Sequence, residues 1–253
     1  MRSSSGQGFV RISAFYFALM ESTFADVKDT LVVMAQPERA IALARFFKTG
    51  PGQYAEGDQF LGLSMPQQRV VVNQYANLFL TEVEKLVQDP IHECRMVGLL
   101  IWVKQSSKAT PAQQEIIQER YLANRRYVNN WDLVDVTCTH ILGKYAIKND
   151  RSFLYELASE ANLWSQRIAI VSTLALIRVG QFSDTFAIAE QLLSHKHDLI
   201  HKAVGWMLRE VGKRNSDALE EFLHDNVRRM PRTALRYAIE RFEPARRAYY
   251  LTL

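Results

Sequence analysis

Residues 163–171 read Leu-Trp-Ser-Gln-Arg-Ile-Ala-Ile-Val, in which an apolar run follows the basic residue Arg167. Two other stretches have the same design: residues 91–100 read Ile-His-Glu-Cys-Arg-Met-Val-Gly-Leu-Leu, and residues 198–206 read Asp-Leu-Ile-His-Lys-Ala-Val-Gly-Trp. In each stretch a basic residue leads into apolar residues at helical spacing. The likeness among the three stretches predicts a repeated helical unit.

The spacing of these stretches indicates the size of the repeat. Arg95 and Arg167 are 72 residues apart, Arg167 and Lys202 are 35 apart, and Trp131 lies 36 residues from both Arg95 and Arg167. A period near 36 built from paired helices is typical of an all-α HEAT-like repeat solenoid. Because equivalent positions of such repeats stack, the pattern predicts a concave face on which Trp131, Arg167 and Lys202 share a row.

The remaining sequence also favours an all-α fold. The chain has 253 residues, of which 48% are hydrophobic, enough for a sizeable core. Eleven Gly and seven Pro are few for a protein with many tight turns, which argues against an all-β fold. The Gly-rich connection over residues 50–58 is predicted to join an N-terminal helical pair to the rest. It lacks the Gly-Lys-Ser/Thr ending of a phosphate-binding loop.

The two ends of the chain differ in character. Residues 1–20 contain an apolar stretch interrupted by Arg11 and Ser13 and lack a signal cleavage pattern, so we interpret them as a leader that is either disordered or not native. Residues 21–253 are predicted to form one helical-repeat domain. The net charge is +4, and the C-terminal region is crowded with basic residues that suit a polyanion or simply a solvated helical surface. These residues are Arg209, Lys213, Arg214, Arg228, Arg229, Arg232, Arg236, Arg241, Arg246 and Arg247.

Two cysteines, Cys94 and Cys138, are too few for a disulfide framework or a Cys-rich zinc site. A reducing, cytoplasmic compartment is therefore expected. The longest apolar run after the leader, residues 96–103, is far too short to span a bilayer, so no membrane association is expected.

The clearest candidate for chemistry is the segment Asn129-Asn-Trp-Asp-Leu-Val-Asp135. It reads as a helix start, with Asn129 or Asn130 as the cap and Asp132 placed to suit the helix dipole. Trp131 and Asp135 are four residues apart and share one helix face, which suits a cationic intermediate. Core packing of Trp131 and an Asp–Arg packing ladder are the alternative explanations.

Two further features leave alternatives open, and a group of histidines raises the question of a metal site. Arg167 has the reach either to contact a phosphate or to pair with Asp135. Gly205, in the middle of a helix beside Trp206, costs about 1 kcal/mol relative to Ala, so close helix packing or close ligand approach must justify it. His195, His197 and His201 lack the additional ligands of a tetrahedral site, and no metal site is predicted.

At these residues the sequence resembles the DNA alkylation-repair glycosylase family of HEAT-like repeat proteins. The matching segments are Asn130-Trp-Asp-Leu-Val-Asp135, Leu163-Trp-Ser-Gln-Arg167, Lys202-Ala-Val-Gly-Trp-Met-Leu-Arg-Glu210, and the region Phe46–Gly62 with its Phe-Phe-Lys-Thr-Gly-Pro-Gly start. The resemblance covers about residues 22–253. The order and spacing of the four matching segments together are more specific than any one of these segments alone.

The resemblance implies a monofunctional DNA glycosylase that excises cationic N3- and N7-alkylated purines without flipping the damaged base. Asp135 would be the catalytic carboxylate, and Trp131 and Trp206 would pack against the deoxyribose of the lesion. The resemblance implies DNA contacts by Arg167 and Arg209. We expect further DNA contacts from Lys202, which shares the predicted row, and from the Phe46–Phe47 pair.

Some active members of that family place a Tyr on an early helix, where this chain has Phe46 and Phe47 without a hydroxyl. The difference predicts an altered substrate preference or DNA grip. The partner implied is double-stranded DNA containing alkylated purines, bound by a nucleoid-associated monomer that uses no metal or organic cofactor. The alternatives are a catalytically inactive DNA-binding module and a protein-binding scaffold.

Overall fold

Helices make up the framework of residues 22–253, which are the residues that the computed structural model describes. The predicted all-α class is confirmed: within this range the only β pairing is an isolated bridge between Gln59 and Ile91. No helix in this range is both long and apolar enough to cross a membrane. The predicted leader over residues 1–20 lies outside the described residues.

The described chain divides into two compact units, with the boundary between Gln105 and Ser106. The helices of the first unit are α1 (Phe24–Val33), α2 (Pro37–Phe46), α3 (Met65–Gln74), α4 (Leu80–Val87) and α5 (His92–Ser106), the last of which ends at the boundary. The second unit contains α6 (Pro111–Ala123), α7 (Trp131–Cys138), α8 (Lys144–Ala146), α9 (Ser152–Ser159), α10 (Leu163–Ser172), α11 (Leu174–Arg178), α12 (Ser183–Leu192), α13 (Asp198–Gly212), α14 (Ser216–Asn226), α15 (Arg232–Ala238) and α16 (Pro244–Thr252).

Two helices of the second unit, α7 and α10, begin at asparagine caps. The Asn130 side chain accepts a hydrogen bond from the backbone N–H of Trp131, which selects Asn130 over Asn129 as the cap of α7. Asn162 accepts from Trp164 and Ser165 at the start of α10. These side chains satisfy helix N–H groups that have no partner within the helix.

In the first unit, the Gly-rich connection follows α1 and α2 and is anchored at its end. A guanidinium N–H of Arg95 donates to Asp58 at 2.7 Å, and both side chains are 4% exposed. The other terminal nitrogen of Arg95 donates to the carbonyls of Asp89 and Pro90, each at 2.9 Å. Glu93 beside it accepts three backbone N–H groups from residues 61–63. Side chains of α5 therefore hold the whole end of this connection.

In the second unit, α7, α10, α13 and α15 pack one against the next. The side-chain contacts join residues 32 positions apart along the chain: Asp135 with Arg167, Arg167 with the carbonyl of Leu199, and Thr139 with the carbonyl of Val171. This offset is shorter than the spacing of about 36 between the similar sequence segments. The first residues of α7 and α10, Trp131 and Leu163, are also 32 positions apart, so Arg167 corresponds to Asp135 and not, as the sequence spacing predicted, to Trp131. Between α10 and α13 the first residues, Leu163 and Asp198, are 35 apart, which agrees with the spacing of Arg167 and Lys202.

Gly205 permits a close packing of α13 on α15. A Cβ on Gly205 would lie 2.5 Å from the carbonyl oxygen of Ala234 and 2.5 Å from the Cβ of Tyr237, both on α15. Close helix packing, one of the two explanations open from the sequence, therefore accounts for a glycine in the middle of α13.

Gly205→Ala is expected to cost about 2–3 kcal/mol through the overlap, because its relief requires α13 and α15 to separate, and so to destabilise the protein by a net of about 1–2 kcal/mol. The net value includes the gain of about 1 kcal/mol in helix propensity, which opposes the cost of the overlap. Urea unfolding measures the net change. Ala203→Gly, a change at a buried site on the same helix, provides a comparison for propensity and cavity effects. An unchanged or increased stability of Gly205→Ala would contradict the close packing.

Candidate active site

Asp135 lies on α7 and is held by Arg167 of α10 through two parallel hydrogen bonds. The Nε of Arg167 donates to Oδ1 at 2.9 Å, and Nη2 donates to Oδ2 at 2.7 Å. The Asp135 side chain is 17% exposed and that of Arg167 only 6%. Of the two partners open to Arg167 from the sequence, the structure pairs it with Asp135. Such a planar, bidentate pair fixes the orientation of the carboxylate.

Arg167 also connects a third helix to the site. Its Nη1 donates to the backbone carbonyl of Leu199, in the first turn of α13. One buried guanidinium therefore fixes the positions of α7, α10 and α13 relative to each other. The sequence holds no signal for this contact, because its acceptor is a backbone group that any residue at position 199 would supply.

Burial controls the acidity of this carboxyl group. Removal from water raises the pKa of Asp135 above its ordinary value, and the hydrogen bonds from Arg167 oppose the rise without cancelling it. A raised pKa beside a fixed counter-ion is typical of functional carboxylates, although structural ion pairs also perturb pKa values.

The four tryptophans fall into two classes. Trp102 is fully buried and Trp164 is 8% exposed, so both serve the core. Trp131, one helical turn before Asp135, and Trp206, on α13, are each half-buried. Core packing alone therefore does not account for Trp131 or Trp206, because each residue keeps part of its surface open to solvent.

The predicted cations on α13 are both paired within the protein. Lys202 forms a salt bridge with Asp198 at 2.7 Å, one turn earlier on the same helix, and its side chain is 41% exposed. Arg209 pairs with Glu240, with 19% of the Arg209 side chain exposed. Surface pairs of this kind contribute little free energy, so a phosphate competes readily for such cations.

The two phenylalanines of the first unit differ in exposure. Phe46 is 62% exposed, whereas Phe47 is 7% exposed and stacks on Phe60 at 5.2 Å between ring centroids. Phe47 also contacts the ring of His92 at 5.3 Å. The ring of Phe47 therefore belongs to a buried aromatic cluster, and Phe46 is the ring that faces solvent.

The three histidines before and within α13 serve local structure. His197 caps α13 by accepting from the N–H of Leu199 at 3.1 Å, and His195 accepts from the N–H of His197 at 2.9 Å. The ring of His201 contacts the carbonyl of His195. Among residues 22–253, no group of three or more His, Cys, Asp or Glu side chains has metal-binding geometry.

Comparison with known proteins agrees with this architecture. A solved structure from Enterococcus faecalis, described as a predicted DNA alkylation repair enzyme, superposes with a TM-score of 0.65 at 18% identity. The match covers 83% of this chain and 97% of that one, and at this identity it shows a shared fold. None of the curated proteins matches the sequence. The family model for DNA alkylation repair enzymes matches residues 27–242, and the chain therefore belongs to that family.

Proposed function

We propose that this protein is a monofunctional DNA glycosylase that removes cationic N3- and N7-alkylated purines from double-stranded DNA. The observation that carries the proposal is the partly exposed carboxylate of Asp135, oriented by Arg167 and preceded by the half-buried Trp131 on the same helix. Membership of the DNA alkylation repair family supplies the class of substrate.

The chemistry that this site would assist is hydrolysis of the N-glycosidic bond. The bond from C1′ to the purine nitrogen breaks, its electron pair goes to the base, and the alkylated base leaves as a neutral molecule. The sugar is left with oxocarbenium character. Water adds to C1′ and loses a proton to solvent or to Asp135. The carboxylate stabilises the cationic sugar and positions the water, as preorganised electrostatic groups do in other enzymes.

Trp131 and Trp206 would border the deoxyribose of the lesion. The face of an indole attracts a cation with about 0.5–2 kcal/mol, so each ring favours the oxocarbenium over the neutral sugar. Because the alkylated purine is already a good leaving group, the reaction requires no metal or organic cofactor. Selectivity would follow from the lability of the lesion, and extrusion of the base into a pocket is then unnecessary.

Arg167 would act on both the carboxylate and the DNA. A guanidinium carries five N–H groups, and three of those of Arg167 are used by Asp135 and the carbonyl of Leu199. The two that remain take no part in these contacts and suit a phosphate beside the lesion. Arg167 thus positions Asp135 while it contacts the backbone.

Other DNA contacts are proposed for residues outside the carboxylate site. Lys202 and Arg209 would exchange their carboxylate partners for phosphates. Phe46 would contact the DNA with its exposed ring. Phe47 would pack against the Phe46 ring in a T-shaped contact with ring centroids 5.0 Å apart. The enzyme is proposed to act as a monomer associated with the nucleoid.

The test is release of 7-methylguanine and 3-methyladenine from methylated duplex DNA by the purified protein. Both bases are expected to appear at rates well above spontaneous depurination. Duplex binding without release would instead favour a catalytically inactive DNA-binding module. The absence of both duplex binding and base release would favour a protein-binding scaffold.

The pH dependence of release provides a second test. Catalysis needs the ionised form of Asp135, and burial raises the pKa of this group. The rate is therefore expected to fall on acidification at a pH above the ordinary aspartate value of about 3.9. Single-turnover rates, corrected for spontaneous depurination, measure the acidic limb. A limb at or below the ordinary value would contradict a carboxylate in this buried environment.

A further inference from the structure

A stripe of partly exposed residues continues from Asp135 toward the end of the same helix. On α7 and its continuation into α8, Asp132, Val136, His140 and Lys144 keep part of their surface exposed, while the residues between His140 and Lys144 are buried. The π-helical turn over Thr139–Gly143 joins α7 to α8 within this stripe. Single π turns inside helices occur frequently at functional sites.

The buried side of the same segment packs along α10 and α11. Thr139 donates to the carbonyl of Val171 at 3.1 Å, and a Cβ on Gly143 would lie 2.4 Å from the carbonyl oxygen of Ser172. The pair of Asp135 and Arg167 precedes these contacts. From Asp135 to Gly143 the residue numbers of the partners on α10 rise together with those along this segment, so the segment and α10 run in the same direction. The end of α11 therefore lies beside α8. This places Arg178, the exposed last residue of α11, near α8, and both Arg178 and Lys144 lie close enough to act electrostatically on His140.

The charges that act on His140 are positive, whereas the carboxylates of Glu115, Glu119 and Asp150 act on Tyr145, the residue after Lys144. The pKa of His140 is lowered, first by burial and then by the nearby cations Lys144 and Arg178, so its imidazole is neutral at physiological pH. Neither the Lys144 nor the Arg178 side chain forms a hydrogen bond or salt bridge with another of residues 22–253. Lys202 and Arg209, in contrast, are both paired with carboxylates. Two like charges without a counter-ion repel each other, and an anion between them relieves that repulsion.

We propose that His140, Lys144 and Arg178 form a subsite for the phosphodiester backbone of DNA beside Asp135. The proposal rests on the function proposed above, because it takes DNA as the ligand. Nine residues separate Asp135 from Lys144, about 13 Å at 1.5 Å per residue. At 3.4 Å per nucleotide along one strand, the phosphates bound here lie within about four nucleotides of the lesion. Lys144 and Arg178 supply charge, and the neutral imidazole of His140 donates one N–H.

The test measures duplex binding as a function of salt, with a duplex that contains a tetrahydrofuran abasic site. The slope of log affinity against log salt becomes shallower by about 0.9 for each phosphate that the protein no longer neutralises. Lys144→Gln and Arg178→Gln are each expected to lower the slope by about 1, and the double variant by about 2. Lys108→Gln, a change at an exposed lysine in the turn before α6, is the charge-matched control and should leave the slope unchanged.

A second readout locates the subsite on the DNA. Phosphates are ethylated one at a time: within about four nucleotides of the abasic site, at least one phosphate should be found whose ethylation impairs binding of the wild type but not of the double variant. The proposed subsite would be contradicted if the double variant had the same salt slope as the wild type or as the Lys108→Gln control. This outcome would count against the subsite even if the wild type releases alkylpurines. A reduced slope in a protein that releases no alkylpurine would support the subsite and contradict the proposed catalysis.

Discussion

Asp135→Asn is expected to slow the release of 7-methylguanine by about 10²–10³-fold, because the amide carries no charge to stabilise the cationic sugar. The substitution keeps the size of the side chain and leaves Arg167 with one acceptor oxygen. Single-turnover release from methylated duplex DNA, at saturating protein, separates this effect from a change in DNA affinity.

Asp132→Asn is the matched control for this experiment. Asp132 lies three residues earlier on α7, is also partly exposed, and accepts a hydrogen bond from the N–H of Leu133 at the start of the helix. Its replacement changes the same charge on the same helix but leaves Asp135 and Arg167 paired. Release by Asp132→Asn should therefore stay close to that of the wild type. Equal rates for the wild type and Asp135→Asn would remove Asp135 from the mechanism.

Asp58→Ala is expected to lower the free energy of unfolding by about 3–5 kcal/mol, because it leaves the guanidinium of Arg95 buried without its counter-ion. Arg95 is 4% exposed and keeps only the carbonyls of Asp89 and Pro90 as acceptors. His92, whose Nδ1 lies 3.3 Å from Asp58, is deprived of the same partner. Urea unfolding followed by circular dichroism measures the destabilisation.

Asp29→Ala provides the control for this change in the same unit. Asp29 is exposed on α1, and surface substitutions of this kind change stability by about 0.5 kcal/mol or less. A destabilisation of less than about 1 kcal/mol for Asp58→Ala would contradict the view that this ion pair anchors the end of the Gly-rich connection.

Much of the local structure follows from short-range patterns. The start of α7 is recognisable from Asn129 and Asn130 because a cap acts on N–H groups one to three residues away, and the structure selects Asn130 of the two. Trp131 and Asp135 share a face because four residues make about one helical turn. The resemblance of four segments to one family likewise depends only on the order of residues, and the match over residues 27–242 agrees with it.

The partners of the site residues depend on contacts that are distant in sequence. The sequence left open whether Arg167 pairs with Asp135 or contacts only a phosphate. The pair with Asp135 forms because α7 and α10 pack with an offset of 32 residues. Phe46 and Phe47 are neighbours with the same side chain, yet one is 62% exposed and the other 7%. Only the packing of Phe60 and His92 against one ring distinguishes them.

The sequence by itself determined that the chain is helical, where several helices begin, and which residues share a helix face. Hydrophobic periodicity and capping act within one or two turns, so these properties are readable without a fold. The tertiary structure decided that Asp135 is oriented by Arg167, that Gly205 serves the packing of α13 on α15, and that Trp131 and Trp206 keep exposed surface. Each of these outcomes depends on which helix faces meet, and that choice is made by the packing of the whole unit.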